Sequence, residues 1–265
     1  MSNHLLAENP LLSTAIPTPD GWTTLGEVEV GTTLFGRQGA ATTVIEVEPE
    51  RDAEVYEMEL ADAQRLMVSG TSRWTVYDLV EMRERTLSIH DLAEAMLTRG
   101  GDEERKLPRY SIGLTRAVPG RKLQGVTLGE ITEAGRMLII DERPSIPEEY
   151  LRATVKQRDA LLRGILTQAP RVSPLKGWAF SSDLVWDVAE LARSLGLFAQ
   201  VHDRPQAGFR LRFRFANGKP DPINGRIEIV RLAHLGAAEG RYLSTAAPED
   251  GYLIGGFIPM YARPQ

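Results

Sequence analysis

Alternating apolar and polar residues at both ends of the chain constrain its fold more than any other feature. The stretches "TTVIEVEPE" (42–50) and "AEVYEMEL" (53–60) largely alternate apolar and polar residues, as half-buried strands do. Short strand-like segments return in "GRIEIVRLAHL" (225–235) and "GYLIGGFIPMY" (251–261). We therefore expect one mostly β domain that is built from both chain ends, residues 1–80 together with 225–265.

The middle of the chain has helical spacing instead. "EEYLRATVKQRDALLRGILTQ" (148–168) predicts one helix, and "SSDLVWDVAELARSLGL" (181–197) predicts a second. "GFRLRFRFANG" (208–218) predicts a strand with Phe on one face and Arg on the other. These segments define an α+β unit over 144–224. Residues 81–143 are expected to connect it, and their stretch "VTLGEITEAGRMLII" (126–140) suggests a short helix or turn followed by a strand.

Composition excludes several kinds of chemistry. The chain has no cysteine, which removes disulfides, thiolate zinc sites and thiol nucleophiles. The four histidines are too far apart in sequence for a short metal-binding motif, so we expect no metal and no cofactor: His4, His90, His202 and His234. No apolar run reaches about 18 residues, and the N-terminus lacks a secretory pattern. We expect a cytoplasmic protein without a membrane partner.

Three blocks of sequence resemble one known family. "STAIPTPDGWTTLGEVEVGTTLFG" (13–36) resembles the opening block of inteins and of the wider hedgehog/intein (Hint) fold, and "GYLIGGFIPMYA" (251–262) resembles its closing strand. Between them, 146–168 and 180–201 resemble the second half of a LAGLIDADG homing endonuclease, which such inteins carry as an insertion. The resemblance implies a mostly β Hint-like domain with an inserted α+β half-LAGLIDADG-like domain.

The residues that splice proteins are not carried over by this resemblance. The position of the first-residue nucleophile is Asn9, and that of the subclass cysteine nucleophile is Tyr242. Trp74 matches an aromatic residue of that subclass and is also a good core residue. The remaining degenerate positions replace the family's Thr-x-x-His and its terminal His-Asn, and they are Gly70, Arg73, Tyr261 and Ala262. A guanidinium cannot serve as a general base.

The nuclease acids are missing as well. The acidic positions of the LAGLIDADG motif are Thr167 and Ala169, and its final glycine is Pro170. Neither Thr nor Ala supplies a carboxylate for a divalent cation. Asp183 and Asp187 lie four residues apart on one helix face and could in principle hold a metal, but a solvated face with Asp near the helix N-terminus explains them better. We therefore expect no enzymatic activity.

Two surfaces could still be functional. Arg210, Arg212 and Arg214 form a stripe on one strand face, with Arg204 and Lys219 nearby, which suits DNA or a partner but also an ordinary solvent face. The helix face with Leu161, Gly164 and Ile165 resembles the helix that pairs two endonuclease halves. Only one such motif is recognised, so this face is expected to be covered by the β domain, a second subunit or a partner.

These observations favour a non-catalytic, domesticated intein-like binding protein, encoded by a phage and acting in the host cytoplasm. Its expected partner is another protein, with DNA contact and a homodimer as further options. A recombination directionality factor that controls a serine integrase is the concrete hypothesis. The alternatives are residual autoprocessing through Ser13 or Thr14, homing-type cleavage of DNA, and a structural role in the phage particle.

Overall fold

The helices and strands of the chain are taken from a computed structural model. It describes residues 9–97, 109–173, 177–204, 208–213, 215–216, 219–220, 225–246 and 251–261. The strands, numbered along the chain, are β1 (Ala15–Thr18), β2 (Gly21–Thr24), β3 (Thr33–Phe35), β4 (Ala41–Leu60), β5 (Arg65–Ser69), β6 (Arg73–Asp78), β7 (Arg83–Ser88), β8 (Tyr110–Gly113), β9 (Arg171–Ser173), β10 (Gly177–Phe180), β11 (Ala199–Arg204), β12 (Gly208–Phe213), β13 (Phe215–Ala216), β14 (Lys219–Pro220), β15 (Arg226–Thr245), β16 (Gly251–Ile254) and β17 (Ile258–Tyr261). The helices are α1 (Ile89–Leu97), α2 (Leu128–Ile140), α3 (Glu148–Leu151), α4 (Val155–Gln168) and α5 (Leu184–Ser194).

The chain divides into two units. Unit 1 comprises the described parts of Met1–Thr18, Trp22–Thr115 and Arg226–Gln265, and unit 2 those of Pro19–Gly21 and Arg116–Gly225. Unit 1 is thus built from both ends of the chain, as the alternating patterns predict. Residues 81–143, which the sequence suggests as a connecting segment, are shared between the two units, because the boundary falls between Thr115 and Arg116.

Unit 1 is mostly β, as predicted. Its largest sheet has the order β3-β4-β15-β8-β6-β7, with β5 paired to β4. The two 20-residue strands β4 and β15 pair antiparallel along nearly their whole length, with several bulges that bend them. Trp74 is fully buried and donates its indole N–H to Ser72 Oγ at 3.0 Å, so this residue belongs to the core.

Unit 2 packs helices on one face of a four-stranded sheet with the order β11-β12-β10-β9. Its core lies between the sheet and helices α2, α4 and α5, and it includes Ile165, Val188, Leu211 and Phe213. Alternation places the apolar residues of β12 in this core, as the sequence predicts, because successive strand residues point to opposite faces.

Residues 128–140 form one continuous helix, α2, whereas the sequence suggests a short helix or turn combined with a strand over 126–140. Thr127 begins the helix with a capping box, in which its hydroxyl accepts from the Glu130 N–H while Glu130 accepts from the Thr127 N–H. The apolar run "MLII" suggested a strand, but Ile131, Gly135 and Leu138 recur at helical spacing and are buried. Helical packing therefore decides the structure of this segment.

The predicted single helix 148–168 is also wrong, because it is two helices. The chain leaves α3 at Arg152, and α4 begins only at Val155. Thr154 restarts the helix through a capping box with Gln157. Gln157 also exchanges two hydrogen bonds with the Leu123 backbone, so the break ties the start of α4 to the segment before α2.

The expectation that the face of Leu161, Gly164 and Ile165 lacks an internal mate is wrong as well. Helix α4 packs closely against α2 within the same unit. A Cβ atom on Gly164 would overlap the Thr132 carbonyl oxygen, and one on Gly135 would overlap the Leu161 carbonyl oxygen. The mate is therefore α2, and this face gives no reason to expect a second subunit. No helix among the described residues is long and apolar enough to cross a membrane.

Candidate functional site

A small, mostly apolar cavity with a few polar side chains opens among strands β5, β15, β16 and β17 of unit 1. Its volume is about 30 Å³, which leaves room for about one water molecule. Three of the positions that the resemblance aligns with splicing residues line it, namely Arg73, Tyr242 and Tyr261. Glu50 and Ser69 line it as well. The structure thus brings together residues that are far apart in sequence.

Glu50 is the centre of a hydrogen-bond cluster at this cavity, which we call the Glu50 cluster (Glu50, Ser69, Thr71 and Tyr242). Its Oε1 accepts from Ser69 Oγ at 2.6 Å, Thr71 Oγ1 at 2.7 Å and Tyr242 OH at 2.5 Å. Glu50 is only 8% exposed, and three hydroxyl donors replace the water that its carboxylate loses on burial. The cluster ties β4 and β15 to the segment between β5 and β6.

Strand register explains how Glu50 reaches this position. Glu50 lies opposite Gly240 on β15, and a Cβ atom at position 240 would stand 3.0 Å from Glu50 Oε2. Tyr242 lies two residues further along β15. Burial raises the pKa of the Tyr242 phenol, and its hydrogen bond to Glu50 raises it further. The phenol is therefore protonated at neutral pH and is a poor nucleophile.

Tyr261, at the position of the family's histidine, lies in a second group of contacts. Thr75 Oγ1 donates to Tyr261 OH at 3.1 Å, and the Arg37 guanidinium lies 3.7 Å from the Tyr261 ring centroid. Burial by itself raises the pKa of Tyr261, but the Thr75 hydrogen bond and the Arg37 charge outweigh it, so the pKa is lowered. Ala262 lies outside the described residues.

The other splicing positions are used for backbone structure. Asn9 Oδ1 accepts from the Leu12 N–H at 3.2 Å and so stabilises a turn. Gly70 exchanges backbone hydrogen bonds with Glu54 and His90, and a Cβ atom there would overlap the His90 ring. The hydroxyls of Ser13 and Thr14 donate to the backbone carbonyls of Pro10 and Met67. None of these groups is placed as a free nucleophile.

The two positions of unit 2 that the resemblance aligns with the nuclease acids are Thr167 and Ala169, and neither has a carboxylate. Thr167 Oγ1 donates to the Arg163 carbonyl at 2.7 Å, and Ala169 ends α4 in a buried position. Asp187 is half-buried rather than solvated, and it accepts from the Ile146 N–H at 2.7 Å. Burial raises its pKa, and this hydrogen bond acts in the opposite direction. No group of three or more His, Asp or Glu residues that could hold a metal is found in the described part of the chain.

The predicted arginine stripe lies on the face of the unit 2 sheet that is turned away from the helices. Register pairs Gln200 with Arg212 and His202 with Arg210, so these four side chains share one face, which we call the basic face. Arg204 belongs to the same alternation and pairs with Gly208. Arg214 and the side chain of Lys219 lie outside the described residues.

Sequence reasoning missed Glu50, Ser69, Thr71 and His202. The hydroxyl-rich stretch "VSGTS" (68–72) could have indicated a polar cluster, but the pairing of Glu50 with Tyr242 spans 192 positions and has no local signal. His202 was one of four isolated histidines, and only the register of β11 with β12 shows that it faces Arg210.

Together, the sequence blocks at both ends and the strand arrangement of unit 1 define an intein-like, mostly β domain. No family model matches the chain. Two curated relatives are named replicative DNA helicase DnaB: one from Mycobacterium intracellulare is 26% identical over 253 residues, 74% of this chain and 44% of the relative, and one from Mycobacterium leprae (strain TN) is 25% identical over 158 residues, 56% of this chain and 26% of the relative. The chain thus spans less than half the length of these relatives.

Solved structures that are similar to this chain include several inteins. The MchDnaB-1 intein has a TM-score of 0.37 and 14% identity, with 95% of this chain and 98% of that chain covered. The Msm DnaB1 intein splicing domain bound with zinc has a TM-score of 0.36 and 15% identity, with the same coverage of 95% and 98%. The G-1F mutant of the Ssp DnaB mini-intein variant M86 has a TM-score of 0.42 and 8% identity, with 97% and 99% covered.

Proposed function

We propose that this chain is a non-catalytic, domesticated intein-like protein that acts by binding. The observation that carries this proposal is the Glu50 cluster. At the place where the resemblance implies a nucleophile, the Tyr242 phenol donates to a buried carboxylate at 2.5 Å, and only about 30 Å³ of space remains. With no cysteine in the chain, no other side chain supplies a strong nucleophile.

Intact mass spectrometry of the chain with a tag on each end tests the loss of self-processing. We expect a single species at the full mass after prolonged incubation. The variants Thr71→Val and Tyr242→Phe should each give a single species at the variant's own full mass, because neither hydroxyl takes part in chemistry. A cleaved or branched product that disappears in either variant would establish the alternative, residual autoprocessing.

The setting that we propose is a DNA transaction controlled through a second protein. The curated relatives are named replicative DNA helicases. The sequence of unit 2 resembles a DNA-cleaving domain, but Thr167 and Ala169 stand where that domain has acidic residues. In the concrete form of the hypothesis, the chain is phage-encoded and sets the direction of a serine integrase. A pull-down with such an integrase, combined with an excision assay in vitro, tests it. No binding and an unchanged reaction direction would contradict this form.

Direct contact with DNA through the basic face is a second candidate. Unit 1 carries 14 Lys and Arg against 23 Asp and Glu, whereas unit 2 carries 17 against 13. The excess of positive charge therefore lies in the unit that presents Arg210 and Arg212. Binding to a duplex should weaken with salt, and Arg212→Gln should reduce the slope of log Kd against log salt by about one. A phage structural role would instead place the chain in purified virions.

A further inference from the structure

His202 lies beside two arginines on the basic face. It pairs directly with Arg210 across β11 and β12, and Arg212 follows two residues later on the same face of β12. The neighbouring residues of these strands, Val201 and Leu211, are buried in the core on the other face. The backbone therefore fixes the three polar residues next to one another on the same face of the sheet.

Two polar atoms of this group have no hydrogen-bond partner among the described residues. His202 Nε2 and Arg210 Nε are both shielded from solvent, yet neither contacts a donor or acceptor. A shielded polar group without a partner is costly, since it has lost its water. A ligand with several acceptor oxygens and a negative charge would satisfy both the cations and the imidazole, and a phosphate group has these properties.

Among the residues that the structure describes, the charges that face His202 are positive. From β12 these are Arg210 and Arg212, and along β11 the alternation adds Arg204, whereas Asp203 points to the opposite face. The β10 residue next to Arg210 is Ala179, which has no charge. On the core side, α5 contributes Arg193, which donates to the Ala199 carbonyl. Burial lowers the pKa of His202 most, followed by the charges of Arg212 and Arg210.

We propose that His202, Arg210 and Arg212 form a phosphodiester-binding site for DNA in which binding is coupled to uptake of a proton by His202. The inference rests on the proposed DNA contact and adds its ligand group and its regulation. In the free protein the two arginines oppose a third positive charge. A bound phosphate offsets their repulsion, so His202 gains a proton and becomes a third charged donor. Affinity therefore rises as pH falls.

Fluorescence anisotropy with a labelled, short mixed-sequence duplex and the full chain tests the coupling. At constant salt, the affinity of the wild type should rise from about pH 8 to about pH 6, with an upper limit of about tenfold per pH unit for one proton. Arg212→Gln should weaken binding at every pH. His202→Gln should remove most of the pH dependence. The control His234→Gln, an exposed histidine of unit 1, should behave as the wild type does.

The outcomes separate the two levels of the proposal. If the wild type binds no duplex at any pH, the DNA contact and the coupling both fail. If Arg212→Gln weakens binding but His202→Gln keeps the full pH dependence, the DNA contact stands and the coupling is overturned. An NMR titration of the His202 imidazole in the wild type avoids variants altogether. Its pKa should rise when the duplex is added, and an unchanged value would overturn the proposal.

Discussion

Unit 1 buries the carboxylate of Asp78 and unit 2 buries the guanidinium of Arg158, and the two charges are stabilised differently. Asp78 is fully buried and receives two hydrogen bonds from Arg109, at 2.8 and 3.1 Å. Arg158 is 1% exposed and donates to the Ser194 side chain and to the carbonyls of Ser194 and Val118. Unit 1 thus uses an opposite charge, whereas unit 2 uses carbonyl groups, one of them at the C-terminal end of α5.

The main packing contacts also differ between the two units, because unit 1 packs through side chains and unit 2 packs through backbone. In unit 1, β4 and β15 are joined beside a buried carboxylate, with side chains filling the space around Glu50. In unit 2, α2 and α4 approach until backbone meets backbone, with Gly135 and Gly164 at the contact. A helix contact without side chains has no flexible atoms that can move aside. We therefore expect the largest effects of substitution in unit 2.

Adding one methyl group between the two helices should have the largest effect. Gly135→Ala places a Cβ atom against the Leu161 carbonyl, so α2 and α4 must separate, which costs about 3 kcal/mol of unfolding free energy. The control is Gly129→Ala in the same helix, where a Cβ atom would meet only the Thr127 hydroxyl at 3.9 Å. It should be neutral or stabilise by up to about 1 kcal/mol. Urea unfolding followed by circular dichroism compares them, and equal stabilities would refute the close helix contact.

This helix pair shows where sequence reasoning works and where it fails. The resemblance to the endonuclease helix marks Gly164 as a contact position, because that helix packs against its pair with small residues at the contact. The helix that packs against it, α2, is not apparent from the sequence. "RMLII" has the composition of a strand, although Thr127 and Glu130 give a capping signal for a helix. The decisive fact is tertiary, since Gly135 tolerates its place in a helix through its contact with α4. No local pattern contains that information.

Removing the buried charge of unit 2 should have the next largest effect. Arg158→Met keeps most of the side-chain volume but removes the donor to the Val118 carbonyl and one of the two donors to the Ser194 carbonyl, which costs about 2 kcal/mol. Burial, followed by the nearby charge of Arg152, lowers the pKa of Arg158 to about 10. Removing the charge therefore also removes its desolvation cost, which offsets part of the lost stability.

A matched control lies on the same helix. Arg163 is exposed and pairs only with Asp159, at 2.8 Å and four residues away, so Arg163→Met should change the stability by less than about 0.5 kcal/mol. Urea unfolding of both variants supplies the comparison. If the two variants lost the same stability, the carbonyl contacts of Arg158 would have no special role.

The buried carboxylate of Asp78 in unit 1 should instead make the free energy of unfolding depend on pH. Burial would raise the pKa of Asp78, but the hydrogen bonds from Arg109 and from the Glu81 and Val80 amides outweigh it and hold the pKa at about 2. Because the folded pKa lies below the unfolded value of 3.8, this stabilisation is complete above about pH 4 and is lost as pH falls towards 2.

The expected loss is about 1 to 2 kcal/mol, since Arg109 is partly exposed and water screens the pair. Urea unfolding at a series of acidic pH values measures it. Asp78→Asn cannot ionise, so its stability should lack this component. A variant that lost stability with acid as steeply as the wild type would show that other carboxyl groups cause the loss.

The two candidate sites differ in how far the sequence predicts them. The basic face follows from a simple rule, since Arg210 and Arg212 alternate with buried residues along one strand. The Glu50 cluster does not, because its members come from three separate segments, and Glu50 resembles the other acidic residues of a solvated strand. Strand register and the bulges of β4 and β15 decide which of these carboxylates is buried, and neither is visible in the sequence.

The smallest expected effect comes from removing one of the three hydroxyls that hold Glu50. Tyr242→Phe leaves Ser69 and Thr71 in place, so Glu50 keeps two donors and the loss should be about 1 kcal/mol. The control is Tyr77→Phe, because the Tyr77 hydroxyl contacts only the Met82 sulfur at 3.9 Å among the described residues and should contribute almost nothing. Thermal unfolding of both variants at neutral pH gives the comparison. If Tyr242→Phe matched Tyr77→Phe, the phenol would fill the cavity without stabilising Glu50, and the Glu50 cluster would have to be reduced to Ser69 and Thr71.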